Sequence, residues 1–215
     1  MDRRHFLSTV GAASVALAGK SVALRPTTAV EPVIQVDDRL LNTLTAVNDL
    51  QVPVTLASYQ RQIDSRSGPR ALAQSALRLV AAFVNPRGQS HHNSVLLGPI
   101  DALLDALAEQ QNASGLYDIG NLDSPPDTAF VISDLGIGYD LLRADDQTNT
   151  AAIREKYAAI MKKATPALVT GGVHTPNHRW EICKALAHIH HVRQGRDVLA
   201  RIDEWLGEGI DQDEE

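Results

Sequence analysis

Apolar residues recur along this chain at intervals of three and four, and that period predicts helices rather than strands. Leu40, Leu41, Leu44 and Val47 predict a helix over 37–50, capped by Asp37 or Asp38, with a loop to follow around Pro53. Leu72, Ala76, Leu79, Val80 and Phe83 predict a helix over 69–84 that stops at Asn85-Pro86. Ile100, Leu103, Leu104 and Leu107 predict another over 96–110. A helix over 127–142 is expected to start on Asp127, behind Pro125-Pro126. Gly136 and Gly138 inside it each cost ~1 kcal/mol against alanine, which predicts a close neighbour there. The pattern over 148–169 is long and amphipathic, with Pro166 kinking or ending it, and helices over 176–193 and 196–206 follow. No alternating stretch exceeds four residues, so the fold class is all-α.

Connections of alternating length between these helices predict stacked helical hairpins, arranged as an α/α toroid or as a bundle. In a toroid the loops at one end form the cleft, and two loops qualify. Residues 112–126 carry Tyr117, Asp118, Asn121 and Asp123 on a Gly/Pro frame. Residues 170–176 lead into Thr175-Pro176-Asn177-His178-Arg179-Trp180. Gly171 and Gly172 break the preceding helix, Thr175 suits the N-cap, and Pro176 suits the first helical position. Asn177, His178 and Arg179 are then in a first turn, beside unpaired N–H groups and the positive end of the helix dipole, a setting suited to an anion. Trp180 shares a helical face with Cys183, Leu186, Ala187 and His190 and reads as either core or a stacking platform.

Composition narrows the partners. Hydrophobic residues make up 44% of 215, enough for a sizeable core, and the formal net charge of −6 argues against nucleic acid. One cysteine, Cys183, excludes an internal disulfide and reads as a buried thiol. Asp2-Arg3-Arg4-His5-Phe6-Leu7, ahead of a short apolar run diluted by Ser8, Thr9, Gly11 and Ser14, resembles a twin-arginine (Tat) signal peptide. Residues 1–23 are then expected to be removed, 24–36 to form a linker stiffened by Pro26 and Pro32, and 37–215 to form the domain. The mature protein would be periplasmic or secreted, without a stable membrane span.

The 175–180 block, together with Ser124-Pro125-Pro126-Asp127-Thr128-Ala129-Phe130 and the Tat-like start, resembles heparinase II/III-type proteins. These are α/α-toroid polysaccharide lyases related to alginate lyases. The resemblance implies an incomplete α/α toroid, because the chain reaches Glu215 without the family's later helices, downstream Tyr or β-sandwich. It implies an N-terminal fragment of a lyase that eliminates across a uronate residue of an acidic polysaccharide. By the same resemblance Asn177 helps to neutralise the uronate carboxylate and His178 handles the proton, with no metal or other cofactor. Arg179 and Trp180 would bind the sugar, with His174, Tyr117 and Asn121 as further substrate contacts.

Other readings of these residues remain open. Asn177 can simply cap its helix, His178 can be a surface imidazole, and Arg179 can pair with a neighbouring carboxylate. His174 and His178 have metal-like spacing, but Pro176 lies between them. A non-catalytic carbohydrate-binding or structural α-hairpin protein is the alternative to a lyase. A toroid glycoside hydrolase is a third reading, and it would need two carboxylates flanking the bond, for which Asp118, Asp123 and Asp127 are candidates.

Overall fold

The computed structural model describes residues 37–120, 122–172 and 175–207. Among the described residues are seven α-helices: α1 (Asp38–Asp64), α2 (Pro69–Val84), α3 (Leu97–Gln110), α4 (Pro125–Asp145), α5 (Ala151–Thr170), α6 (Pro176–Val192) and α7 (Arg196–Gly207). Extended pairing among them is limited to an isolated antiparallel bridge between Asp118 and Asp123, so the domain is all-α as its periodicity predicts. The leader and linker expected over 1–36 lie outside the described residues, as do Asn121 and His174.

The helices lie in two layers. α4 packs between α2 and α6, while α3 packs on α1 and α5, and α5 also meets α7. Side-chain contacts fix the directions. Arg70 of α2 meets Asp127, and Gln74, one turn on, bonds to Asp134, so α2 and α4 run parallel. His178 meets Phe130 and His188 meets Asp140, so α4 and α6 are parallel too. In the other layer Lys156 pairs with Asp101 and Asp105 while Lys163 reaches the Gln111 carbonyl, which makes α3 and α5 parallel. Leu72, Leu79, Leu103, Leu104, Leu107, Ile132, Leu135, Met161, Leu186 and Ile189 fill the space between the layers and are fully buried. Removing such a side chain from water is worth ~2 kcal/mol.

Three elements depart from the sequence reading. The first helix does not stop at 50 but runs through Pro53 to Asp64. Proline removes one backbone donor and crowds the preceding turn. Side-chain bonds to α2 hold the helix on both sides of it, Asn85 Nδ2 to Thr45 Oγ1 at 3.0 Å before it and Arg78 Nη1 to Thr55 Oγ1 at 3.2 Å after it. Over its first half α1 turns Thr45 inward, and Leu40, Leu44, Val47, Leu50 and Val54 are each more than half exposed, while Val52 is buried in the core with Leu56, Tyr59 and Ile63 packed against it. Second, α4 begins at Pro125 rather than Asp127. Ser124 is its cap, and the Ser124 hydroxyl accepts from the Asp127 amide at 3.3 Å. Third, the pattern over 148–169 divides into a 3-10 turn at Thr148–Thr150 and α5, and of the two options at Pro166 the helix does not end there but runs to Thr170.

The glycines of α4 have the close neighbours they predict. A Cβ on Gly136 would lie 2.4 Å from the His188 ring, and one on Gly138 would lie 2.9 Å from the Tyr157 hydroxyl.

Candidate functional site

The parallel directions of α2, α4 and α6 bring three helix N-termini to one end. Each opens with proline, at Pro69, Pro125 and Pro176, where the missing N–H would have had no partner. The two loops singled out in the sequence meet at this end. A methyl on Gly171 would lie 2.6 Å from Pro125 Cβ and Cγ, and the Gly171 carbonyl accepts from Arg201 Nη2 at 2.7 Å. The first-turn side chains Arg70, Asp127, Asn177, His178 and Arg179 therefore lie at one end, where the positive dipole ends of α2, α4 and α6 alternate with the negative ends of α1, α3 and α5.

Arg70 bonds Asp127 at 2.6 Å, and its guanidinium carbon lies 4.2 Å from the centre of the Phe130 ring. The Phe130 ring meets His178 edge-on, with centroids 6.5 Å apart. Thr175 caps α6 by position and not through its side chain, because its hydroxyl donates to Asn177 Oδ1. That bond holds the amide with Nδ2 as its donating side. Successive helical residues are ~100° apart, so Asn177 and His178 look in different directions. Asn177 is exposed, whereas His178 is half-buried toward α4 and Arg179 is half-buried, 5.7 Å from the Trp205 ring of α7.

Trp180 departs from the face assigned to it. Ile182, Cys183, Ala185, Leu186 and Ile189 form the buried side of α6, and Trp180 stands on the other side, 47% exposed. This removes the core reading and leaves the indole available for stacking. Tyr117 requires the opposite correction. It is fully buried, its amide donates to Thr128 Oγ1 at 2.9 Å, and burial pushes its hydroxyl far above the usual tyrosine range. A side chain sealed in the core cannot touch a substrate in an open cleft. Asp118 bonds the Gly120 amide and belongs to the turn itself.

Asp134 was not legible as a site residue. It stands two turns beyond Asp127 on α4, between Gln74 of α2 and Glu181 and Lys184 of α6. Its spacing of seven from Asp127 was the available signal. Burial raises its pKa; the Lys184 charge opposes this, Glu181 adds to it and Arg70 opposes it. A carboxyl with a raised folded pKa contributes stability below the ordinary carboxylate range and loses it as pH rises through the folded value. Asp134→Asn should therefore raise Tm at pH 7, with the gain shrinking toward pH 4, as a series of thermal melts across pH would show.

Cys183 is 6% exposed, and burial pushes its thiol up to about 11 despite the nearby Arg179 and Arg201 charges. We expect negligible reaction with a thiol-specific disulfide reagent at about pH 8 in the native protein and rapid reaction in urea, because the thiolate is the reactive form.

Three surface concavities can be described. One is lined by Leu104, Asp105, Gln111, Lys156 and Lys163, a second by Tyr139, Arg154 and Glu155, and a third by Lys162, Pro166, Arg193 and Asp197; neither Asn177 nor His178 borders any of them. The donor sets that could hold a metal ion among the described residues are His91, His92 and Asp145, and Asp140, His188 and His191. No described helix is long and apolar enough to cross a membrane. Comparison with protein-family models, curated proteins and solved structures finds no match to this chain.

Proposed function

We propose that this domain is the helical part of a polysaccharide lyase that eliminates across a uronate residue, with its hairpins forming an arc of an α/α toroid. The observation that carries the reading is Asn177-His178 in the first turn of α6, at the end where α2, α4 and α6 all present their N-termini. Elimination removes the proton beside the carboxylate and expels the glycosidic oxygen at C4. Negative charge builds on the carboxylate in the transition state, and the surface that receives it must be positive and preorganised.

Asn177 Nδ2 is the donor to that carboxylate, helped by the positive end of the α6 dipole beside it. His178 takes or relays the proton, a role worth ~10²–10⁴-fold in rate. Arg179 supplies positive charge at the same end, and Trp180 offers an apolar face to a neighbouring sugar. No step in this scheme draws on a metal. The acidic polymer is the partner, and export by the twin-arginine route would bring the enzyme to it.

The test is the ultraviolet absorbance of the unsaturated sugar end, followed for the protein expressed from its complete reading frame over alginate, glucuronan, heparan and ulvan-type polymers. Absorbance that grows on at least one polymer supports the proposal. Bound but uncleaved polymer would support a carbohydrate-binding protein instead.

A hydrolase reading rests on Asp134 at the α4–α6 seam, where burial and then the Glu181 charge raise its carboxyl pKa, the direction that suits a general acid. Saturated reducing ends, with no rise in absorbance, would establish it in place of the lyase.

A further inference from the structure

Farther along the seam between α4 and α6, on the C-terminal side of Asp134, three side chains with donor atoms converge. His188 Nδ1 lies 2.8 Å from Asp140 Oδ2, and His191 Nδ1 lies 2.8 Å from Asp140 Oδ1 and 2.9 Å from Oδ2. The three donor atoms all lie within 4.8 Å of one another. We propose that Asp140, His188 and His191 form a binding site for a divalent transition-metal ion of the zinc class, clipping α4 to α6.

The arrangement is built rather than incidental. His188 and His191 are three apart on α6 and so share a face, and Asp140 comes from the parallel neighbour. Gly136, one turn before Asp140, has no Cβ, and the His188 ring occupies that space; a Cβ there would lie 2.4 Å from it. A glycine inside a long helix is costly, and here it sets the imidazole against the α4 backbone with Nδ1 toward the carboxylate. Donors on two packed helices are held more firmly than donors on a loop. His91 and His92 in the other donor set stack on each other at 3.8 Å in the α2–α3 connection.

Two imidazoles and one carboxylate are a borderline-soft set that favours zinc, cobalt, nickel or copper over magnesium or calcium, which prefer oxygen. With ligand bonds near ~2.0–2.1 Å, tetrahedral geometry requires donor separations of ~3.3 Å, so the N···O distances must open by about half an ångström. Loading exchanges hydrogen bonds for coordination: each neutral imidazole keeps one proton, on Nε2 instead of Nδ1. His191 is 47% exposed, so the outer side of the site is open to water as further ligands. Arg143 Nη2 stands 3.6 Å from Asp140 Oδ1 and is itself more than half exposed, so it can swing outward as the cation enters.

The experiment is calorimetric titration of untagged protein with Zn²⁺, paired with the visible absorption of the Co²⁺ form. One Zn²⁺ per chain is expected, with a Kd of about 10 µM or tighter, together with a rise in Tm and imidazole-type Co²⁺ bands. Mg²⁺ and Ca²⁺ should give neither. His191→Gln, at an exposed position that should not disturb folding, should weaken binding at least ~30-fold, and Asp140→Asn should do the same. His92→Gln should leave binding unchanged. The proposal is overturned by no binding at ~100 µM Zn²⁺, by binding that survives His191→Gln, or by binding lost in His92→Gln. If Asp140→Asn does not fold, the His191 and His92 variants decide the matter alone.

Discussion

Gly115→Ala is expected to lower Tm by about 6–12 °C. The residue lies in the connection after α3 with φ +86, a left-handed backbone that costs an alanine ~1 kcal/mol. The larger penalty is steric. An added Cβ would lie 2.0 Å from the Lys163 carbonyl oxygen and 2.9 Å from Ala164 Cα, and these are backbone atoms of a packed helix that cannot turn aside. The segment cannot back away cheaply either. Gln111 Nε2 donates both to the Gly115 carbonyl and to the Ile160 carbonyl, at 2.9 and 3.0 Å, and Lys163 Nζ donates to the Gln111 carbonyl at 2.9 Å. Together the terms come to about 3 kcal/mol or more, and in a chain of this size each kcal/mol moves Tm by ~2–4 °C. A thermal melt by circular dichroism reads the effect. A loss under about 2 °C would mean that this connection adapts as a flexible loop would.

The contrast between Gly115 and the neighbouring residues shows what a single sequence reveals. Proline and glycine punctuation located the start of α6 at Pro176, and apolar spacing located both ends of α2, Pro69 and Val84. Those signals are local, so they are legible. Whether an apolar face is covered is not local. Leu40, Leu44 and Val47 have helical spacing, yet the buried residues of α1 are Thr45, Val52 and Thr55, and Leu40 and Leu44 face outward. Tyr117 read as a cleft residue because it stands in a decorated loop, but that loop folds back over the core. Pro53 reads as a loop in the sequence, but tertiary contacts outweigh a single lost hydrogen bond and the helix passes through it. The candidate site divides in the same way. Asn177 and His178 were visible as first-turn residues, whereas Asp134 beside Glu181 and Asp140 beside His188 depend on the parallel packing of α4 and α6. Gly136 and Gly138 announced a close neighbour without saying which.

The second large effect concerns catalysis. On the lyase reading, Asn177 acts where charge develops, so its amide matters more in the transition state than in the bound substrate. Removing one preorganised donor of this kind costs ~10²–10³ in kcat, while KM should stay within about threefold. Its position fits that role, because Asn177 is exposed at the convergence of three helix N-termini and its orientation is fixed by the Thr175 hydroxyl. Asn177→Ala should not disturb the fold, since the side chain is outside the core. His178→Ala should also lower kcat, but it is half-buried against Phe130, so its loss mixes packing with chemistry. Asn177 is therefore the cleaner probe.

The most direct measurement is kcat and KM of Asn177→Ala beside the parent protein, each expressed from the complete reading frame, on the uronate polymer the parent cleaves, read by the absorbance of the unsaturated product. The account predicts a fall in kcat of at least ~100-fold with little change in KM. An unchanged kcat would contradict it and leave Asn177 as a helix-end residue with no part in the chemistry.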